Sequence, residues 1–386
     1  MKNVTRLLAL AALLLVNSGT APRLLSAQTA PAPKAPSQKG AAQESAEEIG
    51  SLRNAKVAIP MTRGKTELTY FAGSLTDAQR AELAKLAPNV KIVNGLTPAA
   101  ALARAGEAQG IDSRFATADF IKGAPKLAWI QAMMAGVDRL VAIEPLAKND
   151  AIVLTNFRGV HGPAIADHAM AMLLSLTRDL RFYAGHQTQK KWAKSESATR
   201  RPVALDGLTM LVVGLGGIGS EVAQRANGFG MRVIGTRRSN TPSPAYIQKV
   251  GLSNDLMSML PEADVVAICV PLTPETQGMI NQAAFATMKK GAYLINVARG
   301  PIVDSAALVE ALKSGHLAGA CLDVTDPEPL PASSPLWEMP NVVITPHVAP
   351  NAEVTEQRSW TLLRENIRRF GAGEPLLNVV DKVAGY

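Results

Sequence analysis

Along most of the chain, short apolar runs alternate with segments whose apolar residues recur at helical spacing. Val57-Ala58-Ile59 reads as a strand, residues 77–86 as a helix, 90–93 as a strand and 98–105 as a helix. The alternation continues through the strand-like runs Ala128-Trp129-Ile130 and Ile152-Val153-Leu154. Strand signals separated by helical ones predict a parallel sheet covered by helices. A longer helix is expected over 163–180. Pro163 suits its first turn, and Ala169, Met170, Met172, Leu173 and Leu176 form a nearly continuous apolar face. Methionine and leucine at this spacing build a core or a subunit interface.

A second α/β series follows, with strands expected at 208–213, 231–235, 265–270, 292–297, 319–324 and 342–345. Helices are expected between them, among them 218–227 and 305–313, the latter stopped by Gly315. A final helix over 354–370 comes after this series has ended. The chain therefore leaves a first domain near Asn156, builds a second, and returns near His347. The boundaries expected are 54–157 with 348–386 for the first domain and 158–347 for the second.

The N-terminus follows neither pattern. Lys2 and Arg6 precede an uninterrupted apolar stretch over 7–16, and Ala27-Gln28 offers a small-residue cleavage point. Ten apolar residues are too few for a membrane span, which needs ~20, but suit the apolar region of a signal peptide. Residues 1–27 are thus expected to direct export, to the periplasm in a bacterium, and an uncleaved leader would instead tether the chain to a membrane. The alternative is a cytoplasmic protein with an apolar tail. Residues 28–53, rich in Ala, Pro, Gln, Lys and Glu without apolar period, are expected to be a disordered linker.

Composition narrows the function. The chain has 386 residues, 47% of them hydrophobic and 19% charged, which suits two globular domains. The formal charge is +8, but three of those positive charges lie in the leader with no acid beside them. The remaining +5 forms no dense basic run, so nucleic acid is not an expected partner. Two cysteines cannot build a disulfide scaffold or a zinc cluster. Cys269 and Cys321 fall on strands separated by the one at 292–297, beyond disulfide reach. No metal site is expected, since His161 and His168 stand seven apart and nothing completes a coordination set.

Chemistry enters at Gly214-Leu215-Gly216-Gly217-Ile218-Gly219, between an expected strand and an expected helix. In that setting the first glycine permits a tight turn. The second lets backbone approach a pyrophosphate, and Gly219 lets helix and strand pack closely. The helix N-terminus then offers N–H groups to phosphate oxygens. About twenty residues on, the carboxylate that would bind a ribose diol is missing. Thr236-Arg237-Arg238-Ser239 stands there, and arginine offers planar charged donors to a 2′-phosphate. NADP(H) is therefore the expected cofactor, with NAD(H) as the alternative.

Three further segments carry a family resemblance. They are Val270-Pro271-Leu272-Thr273-Pro274-Glu275-Thr276, Met288-Lys289-Lys290-Gly291-Ala292, and Leu294-Ile295-Asn296-Val297-Ala298-Arg299-Gly300. With Ala135-Gly136-Val137-Asp138, Thr155-Asn156, Leu322-Asp323-Val324, Glu328-Pro329 and Thr345-Pro346-His347, they resemble the D-isomer specific 2-hydroxyacid dehydrogenases, of the glyoxylate/hydroxypyruvate reductase kind. The similarity runs collinearly from about residue 55 to the end.

The resemblance implies an α/β protein in which a Rossmann dinucleotide-binding domain is inserted into a flavodoxin-like substrate domain. It implies a homodimer and a small 2-ketoacid substrate reduced by hydride. His347 would then donate the proton that the new alkoxide needs, Glu328 would orient its ring, and Arg299 would clamp the substrate carboxylate and polarise the carbonyl. Ala135 and the N–H groups of Gly136 and Val137 would hold the rest of the carboxylate. Pro271, Thr276, Val297 and Ala298 would line the cofactor, and Asp323 would accept from the nicotinamide carboxamide. Pro350 and Met134 depart from the family pattern where the substrate cleft is expected, which leaves the identity of the ketoacid open. Two other readings stay on the same fold: a dinucleotide-sensing protein without turnover, and a dehydrogenase of the formate or phosphite type.

Overall fold

The computed structural model describes residues 45–50, 56–58, 67–196, 201–239 and 242–385. The expected signal peptide, its cleavage point and the linker through residue 44 lie outside the described residues. Among the described residues, one sheet has five strands: β1 (Leu68–Phe71), β2 (Val90–Val93), β3 (Gly110–Asp112), β4 (Trp129–Gln131) and β5 (Val153–Thr155). Its order is β2-β1-β3-β4-β5 and every pairing is parallel. This is the flavodoxin-like order, reversing direction between β1 and β3.

The second sheet contains β6 (Thr209–Val213), β7 (Arg232–Arg237), β8 (Ile247–Leu252), β9 (Val265–Ile268), β10 (Ala292–Asn296), β11 (Leu317–Leu322) and β12 (Val342–Ile344). The order β12-β11-β10-β9-β6-β7-β8 is again wholly parallel. Starting at β6, the chain winds one way and then the other, which is the Rossmann order extended by one strand. Every residue of β6 and β9 is buried, because helices cover both faces. Met170, Leu173, Val222 and Ala223 pack on one face, while Leu256, Phe285 and Leu308 pack on the other.

The final helix, Glu353–Ala372, returns to the first sheet and packs Leu362, Leu363, Ile367 and Phe370 with Leu68, Tyr70 and Trp129. The Trp129 ring centroid lies 5.0 Å from those of Tyr70 and Phe370, and its indole N–H donates to Thr155 Oγ1 at 2.8 Å. Asn366 is fully buried in this helix. Its amide donates to Gln131 Oε1 and to the Leu377 carbonyl, and its oxygen accepts from the Leu377 N–H. A buried amide is tolerated when its groups are satisfied in this way, and the arrangement fixes where the returning chain sits.

Several elements differ from the sequence expectation. The first strand is β1, not residues 57–59: Val57 makes one antiparallel bridge to Pro375, and residue 59 lies outside the described residues. The single expected helix over 163–180 is two, Gly162–Thr177 and Leu180–Thr188, broken where Asp179 adopts a left-handed φ of 55°. The linker expected over 28–53 contains a short helix, Ala46–Ile49. Ser45 and Glu48 cap each other's backbone N–H reciprocally. Ala46 and Ile49 are buried with Leu362 and Leu377, and Arg369 pairs with Glu47 at 2.7 Å. This segment is ordered by partners from the far end of the chain, which its own composition cannot reveal.

Candidate active site

The glycine turn connects β6 to the helix Gly217–Gly228. Gly214 has φ +99°, a conformation open to glycine. A Cβ at Gly219 would lie 2.0 Å from the Gly214 carbonyl oxygen, so any side chain there would force helix and turn apart. Gly216 differs: no atom of the described residues lies within 4 Å of where its Cβ would be. Gly216 and Gly217 are exposed, Ile218 is half-buried, and no side chain among the described residues caps this helix. The start of the helix therefore presents its first-turn N–H groups beside open space, which fits a phosphate.

The N–H groups of Gly214 and Leu215 donate to the Thr236 carbonyl at 3.1 and 2.8 Å, which places the end of β7 beside the turn. Arg237 and Arg238 follow at once. Arg237 donates to the Pro242 carbonyl at 3.3 Å and to Ser243 Oγ, and Arg238 is exposed. On the other side, a Cβ at Gly214 would meet Val270 Cγ1 at 2.6 Å, so the loop after β9 is packed against the turn. Thr276 closes that loop, its hydroxyl donating to the Pro271 carbonyl at 2.7 Å and accepting from the Thr273 N–H at 2.8 Å.

Beyond β10, Val297 and Ala298 are buried, and Asn296 shapes the turn by accepting from the Ala298 N–H and donating to the Arg299 carbonyl. Arg299 thereby leaves the second lobe and reaches the first. Its Nε and Nη2 both lie 3.2 Å from Asp138 Oδ1, and its Nη1 donates to the Ala298 carbonyl at 2.8 Å. A Cβ on Gly136 would sit 1.9 Å from Nη2. Glycine at 136 thus leaves the room that the guanidinium occupies in its approach across the cleft. Ala135 is held by the Asn156 amide at 2.8 Å, and buried Val137 begins the helix Asp138–Val141. Met134, on the same loop, is half exposed.

The remaining residues follow β11 and β12. A Cβ on Gly300 would meet the Thr325 carbonyl at 1.9 Å, so the Arg299 turn and the loop leading to Glu328 lie against one another. Glu328 Oε1 is 2.8 Å from His347 Nδ1, and both side chains are a little over one-third exposed. A carboxylate oxygen accepts, so Nδ1 carries a proton and Nε2 is the ring nitrogen left for other partners. His347 has φ +55°, a left-handed geometry that costs a non-glycine residue about 1–3 kcal/mol. Its N–H donates to the Asp323 carbonyl at 2.8 Å.

Asp323 is almost wholly buried, and its carboxylate serves the same loop. Oδ1 accepts from Thr345 Oγ1 at 2.6 Å and from the Val348 N–H at 3.0 Å, while Oδ2 accepts from the Ala349 N–H at 3.1 Å. The sequence reading gave this carboxylate to the cofactor. The structure engages it first with the backbone that carries His347. His168 and Asp138, which sequence reasoning assigned no role at the site, are both part of it. His168 Nε2 lies 2.9 Å from Thr345 Oγ1, and Asp138 holds Arg299. The one signal for His168 was a polar ring in a helix made mostly of apolar residues.

Other titratable groups stand apart. Burial pushes the Cys269 thiol up to about 12 and raises Cys321 as well, so both stay as inert thiols near neutral pH. Burial lowers the basicity of His161. His316 Nε2 lies 3.2 Å from the Met288 carbonyl, at the C-cap of the helix Gln282–Thr287.

The family model for the NAD-binding domain of D-isomer specific 2-hydroxyacid dehydrogenases matches residues 170–349. A glyoxylate reductase of Korarchaeum cryptofilum is 36% identical over 270 residues, covering 69% of this chain and 79% of that one. A D-3-phosphoglycerate dehydrogenase of Methanocaldococcus jannaschii is 32% identical over 295 residues, covering 76% of this chain and 55% of that one. Among solved structures, an NADPH-dependent glyoxylate/hydroxypyruvate reductase of Sinorhizobium meliloti, in complex with NADP and sulfate, superposes with a TM-score of 0.69 at 29% identity. That match covers 83% of this chain and 100% of the other.

The contact of Gly136 with Arg299 can be tested directly. Gly136→Ala sets a methyl group where the guanidinium lies, so Arg299 must swing off Asp138. We expect unchanged melting temperature and NADPH affinity, with 2-hydroxyacid dehydrogenase turnover reduced roughly 100-fold by misplacement of one group. Turnover equal to wild type would show that the approach has no bearing on the site.

Proposed function

The chain belongs to the D-isomer specific 2-hydroxyacid dehydrogenase family, and we propose that it is an NADP(H)-preferring reductase of a small 2-ketoacid, of the glyoxylate or hydroxypyruvate type, giving the D-2-hydroxyacid. The observation that carries this reading is the 2.8 Å pair of His347 and Glu328, set on the same strand edge as Arg299. A bound NADPH supplies the hydride. The glycine turn would hold its pyrophosphate, and Arg237 and Arg238 its 2′-phosphate. Pro271, Thr276, Val297 and Ala298 border the same groove, and Oδ2 of Asp323 retains a lone pair for an amide donor.

The protein's own groups then act on the ketoacid. Arg299 carries donors in a planar fork that matches a carboxylate, and the backbone of Ala135, Gly136 and Val137 closes on it from the first lobe. The same guanidinium, beside the carbonyl oxygen, favours the negative charge that develops there. His347 holds a proton at Nε2 for that oxygen, and Glu328 fixes the ring through Nδ1 so that Nε2 faces the substrate. Retention of all three groups in bonding positions favours an enzyme over a dinucleotide sensor.

Three further assignments belong to the proposal. The substrate domain comprises residues 54–157 and 348–386, with the cofactor domain at 158–347 between its halves. The protein acts as a homodimer. It is also exported, with residues 1–27 removed as a signal peptide, on the strength of Lys2, Arg6 and the apolar stretch over 7–16.

His347→Ala should bind NADPH as wild type does while kcat for glyoxylate falls by ~10²–10⁴. Full activity in this variant would remove the mechanism. Cofactor choice is read separately. Arg237→Asp removes a charge-assisted donor, so NADPH use should weaken roughly 10- to 100-fold and NADH use improve; a wild-type enzyme that prefers NADH under matched conditions defeats the assignment. For export, N-terminal sequencing of protein recovered from the periplasm should begin near Gln28. An intact N-terminus on protein confined to the cytosol would rule it out.

A further inference from the structure

We infer that His168 is a positioning residue for His347, acting through Thr345 and Asp323. The inference rests on the reading of His347 as proton donor. His168 lies in the second turn of the helix Gly162–Thr177, among the buried residues Ile165, Ala169 and Met172. Its Nε2 is 2.9 Å from Thr345 Oγ1 and 3.7 Å from Asp323 Oδ1. Thr345 has one hydroxyl proton, and at 2.6 Å that proton is given to Asp323 Oδ1, which also accepts the Val348 N–H. Thr345 Oγ1 is then left to accept, and His168 must carry its proton on Nε2. A directed chain results: the imidazole donates to the hydroxyl and the hydroxyl to the carboxylate, which also accepts the N–H groups of the backbone that follows His347.

The far end of that chain is the strained residue itself. Asp323 receives the N–H groups of Val348 and Ala349 on its side chain and that of His347 on its carbonyl. Three successive N–H groups are thus collected by one residue, and His347, the first of the three, holds φ +55°. Thr345 stands two residues before His347, so its hydroxyl fixes the loop from the other side. The His168 link ties this assembly to a helix that is itself packed on the cofactor helix Gly217–Gly228, where Gly162 approaches Glu221 and Gly217 too closely for a side chain. A leucine would suit the apolar face better than an imidazole. The imidazole supplies direction, because it donates where a leucine cannot.

The test compares His168→Leu, His168→Gln, Thr345→Val and the His168→Leu/Thr345→Val double variant in the full-length mature enzyme. Measured for each are kcat and KM with glyoxylate, NADPH affinity and melting temperature. We expect each of the two cutting variants to lose kcat roughly 10- to 100-fold, with NADPH affinity unchanged. His168→Gln, whose amide can still donate to Thr345, should recover most of the rate. The double variant should be no slower than the slower single one, because both cut the same chain. Wild-type kcat in both cutting variants, additive losses in the double variant, or a rate that falls only in step with melting temperature and NADPH affinity would overturn the inference. His347→Ala is measured alongside. An active His347→Ala removes the proton-donor reading itself, whereas an inactive His347→Ala beside fully active His168→Leu and Thr345→Val removes the positioning role alone.

Discussion

A parallel sheet has one edge at which every strand ends, and both sheets of this protein are parallel throughout. Helices cover the faces, so the loops on that edge are the segments left to carry chemistry. The residues following β6, β7, β9, β10, β11 and β12 all emerge there, and those following β4 meet them from the first lobe through Gly136 and Arg299. The reversal of winding at β6 decides which loops are neighbours. It sets the glycine turn between the end of β7, through the Thr236 carbonyl, and the loop after β9, through Val270. Positions far apart in sequence are thereby placed in one groove by topology alone.

Within that groove the energetics are uneven. A left-handed histidine is unfavourable by about 1–3 kcal/mol, and a carboxylate taken out of water is costly unless it is fully hydrogen-bonded. Here the two costs offset one another. Asp323 is satisfied by the N–H groups that the left-handed turn exposes, and the turn persists because Asp323 collects them. His347 and Glu328 remain about one-third exposed, so they can meet a ligand, while the carboxylate that fixes their loop is almost wholly buried. Strain and solvent access thus fall together on His347, while the carboxylate that holds its turn is buried.

This division also explains what the sequence could tell. The glycines and the buried strands β6, β9 and β10 are readable because each lies inside a local pattern, whereas Arg299, Glu328 and His347 stand out only through the family resemblance of the motifs that hold them. β1 and β3 were not readable: Thr69 interrupts the first, and Gly110 and Asp112 frame a single isoleucine in the second. β8 is an edge strand, and its exposed Gln248 and Lys249 conceal the apolar signal. The helix Ala46–Ile49 and the link from His168 to Thr345 depend on partners 177 or more positions away. No window of the chain contains both halves of such a contact, so neither could be found by periodicity or motif.

The ion pair between Arg299 and Asp138 shows why contact and cohesion must be kept separate. It crosses from one lobe to the other, yet both side chains are about one-quarter exposed and both donor distances are a long 3.2 Å. A pair of that kind contributes about 0–1 kcal/mol, too little to hold two lobes of this size together. Cohesion comes from the covalent crossings and the packing beside them: the Asn378 amide on the carbonyls of Asn156 and Arg158, and Gly159 closed against the Ile49 carbonyl. These lie along the hinge, where the chain enters and leaves the second lobe. Asp138 therefore orients the guanidinium without fastening it. A group proposed to meet a substrate carboxylate must be held in direction but weakly enough to exchange partners, and a long, partly exposed ion pair meets both conditions.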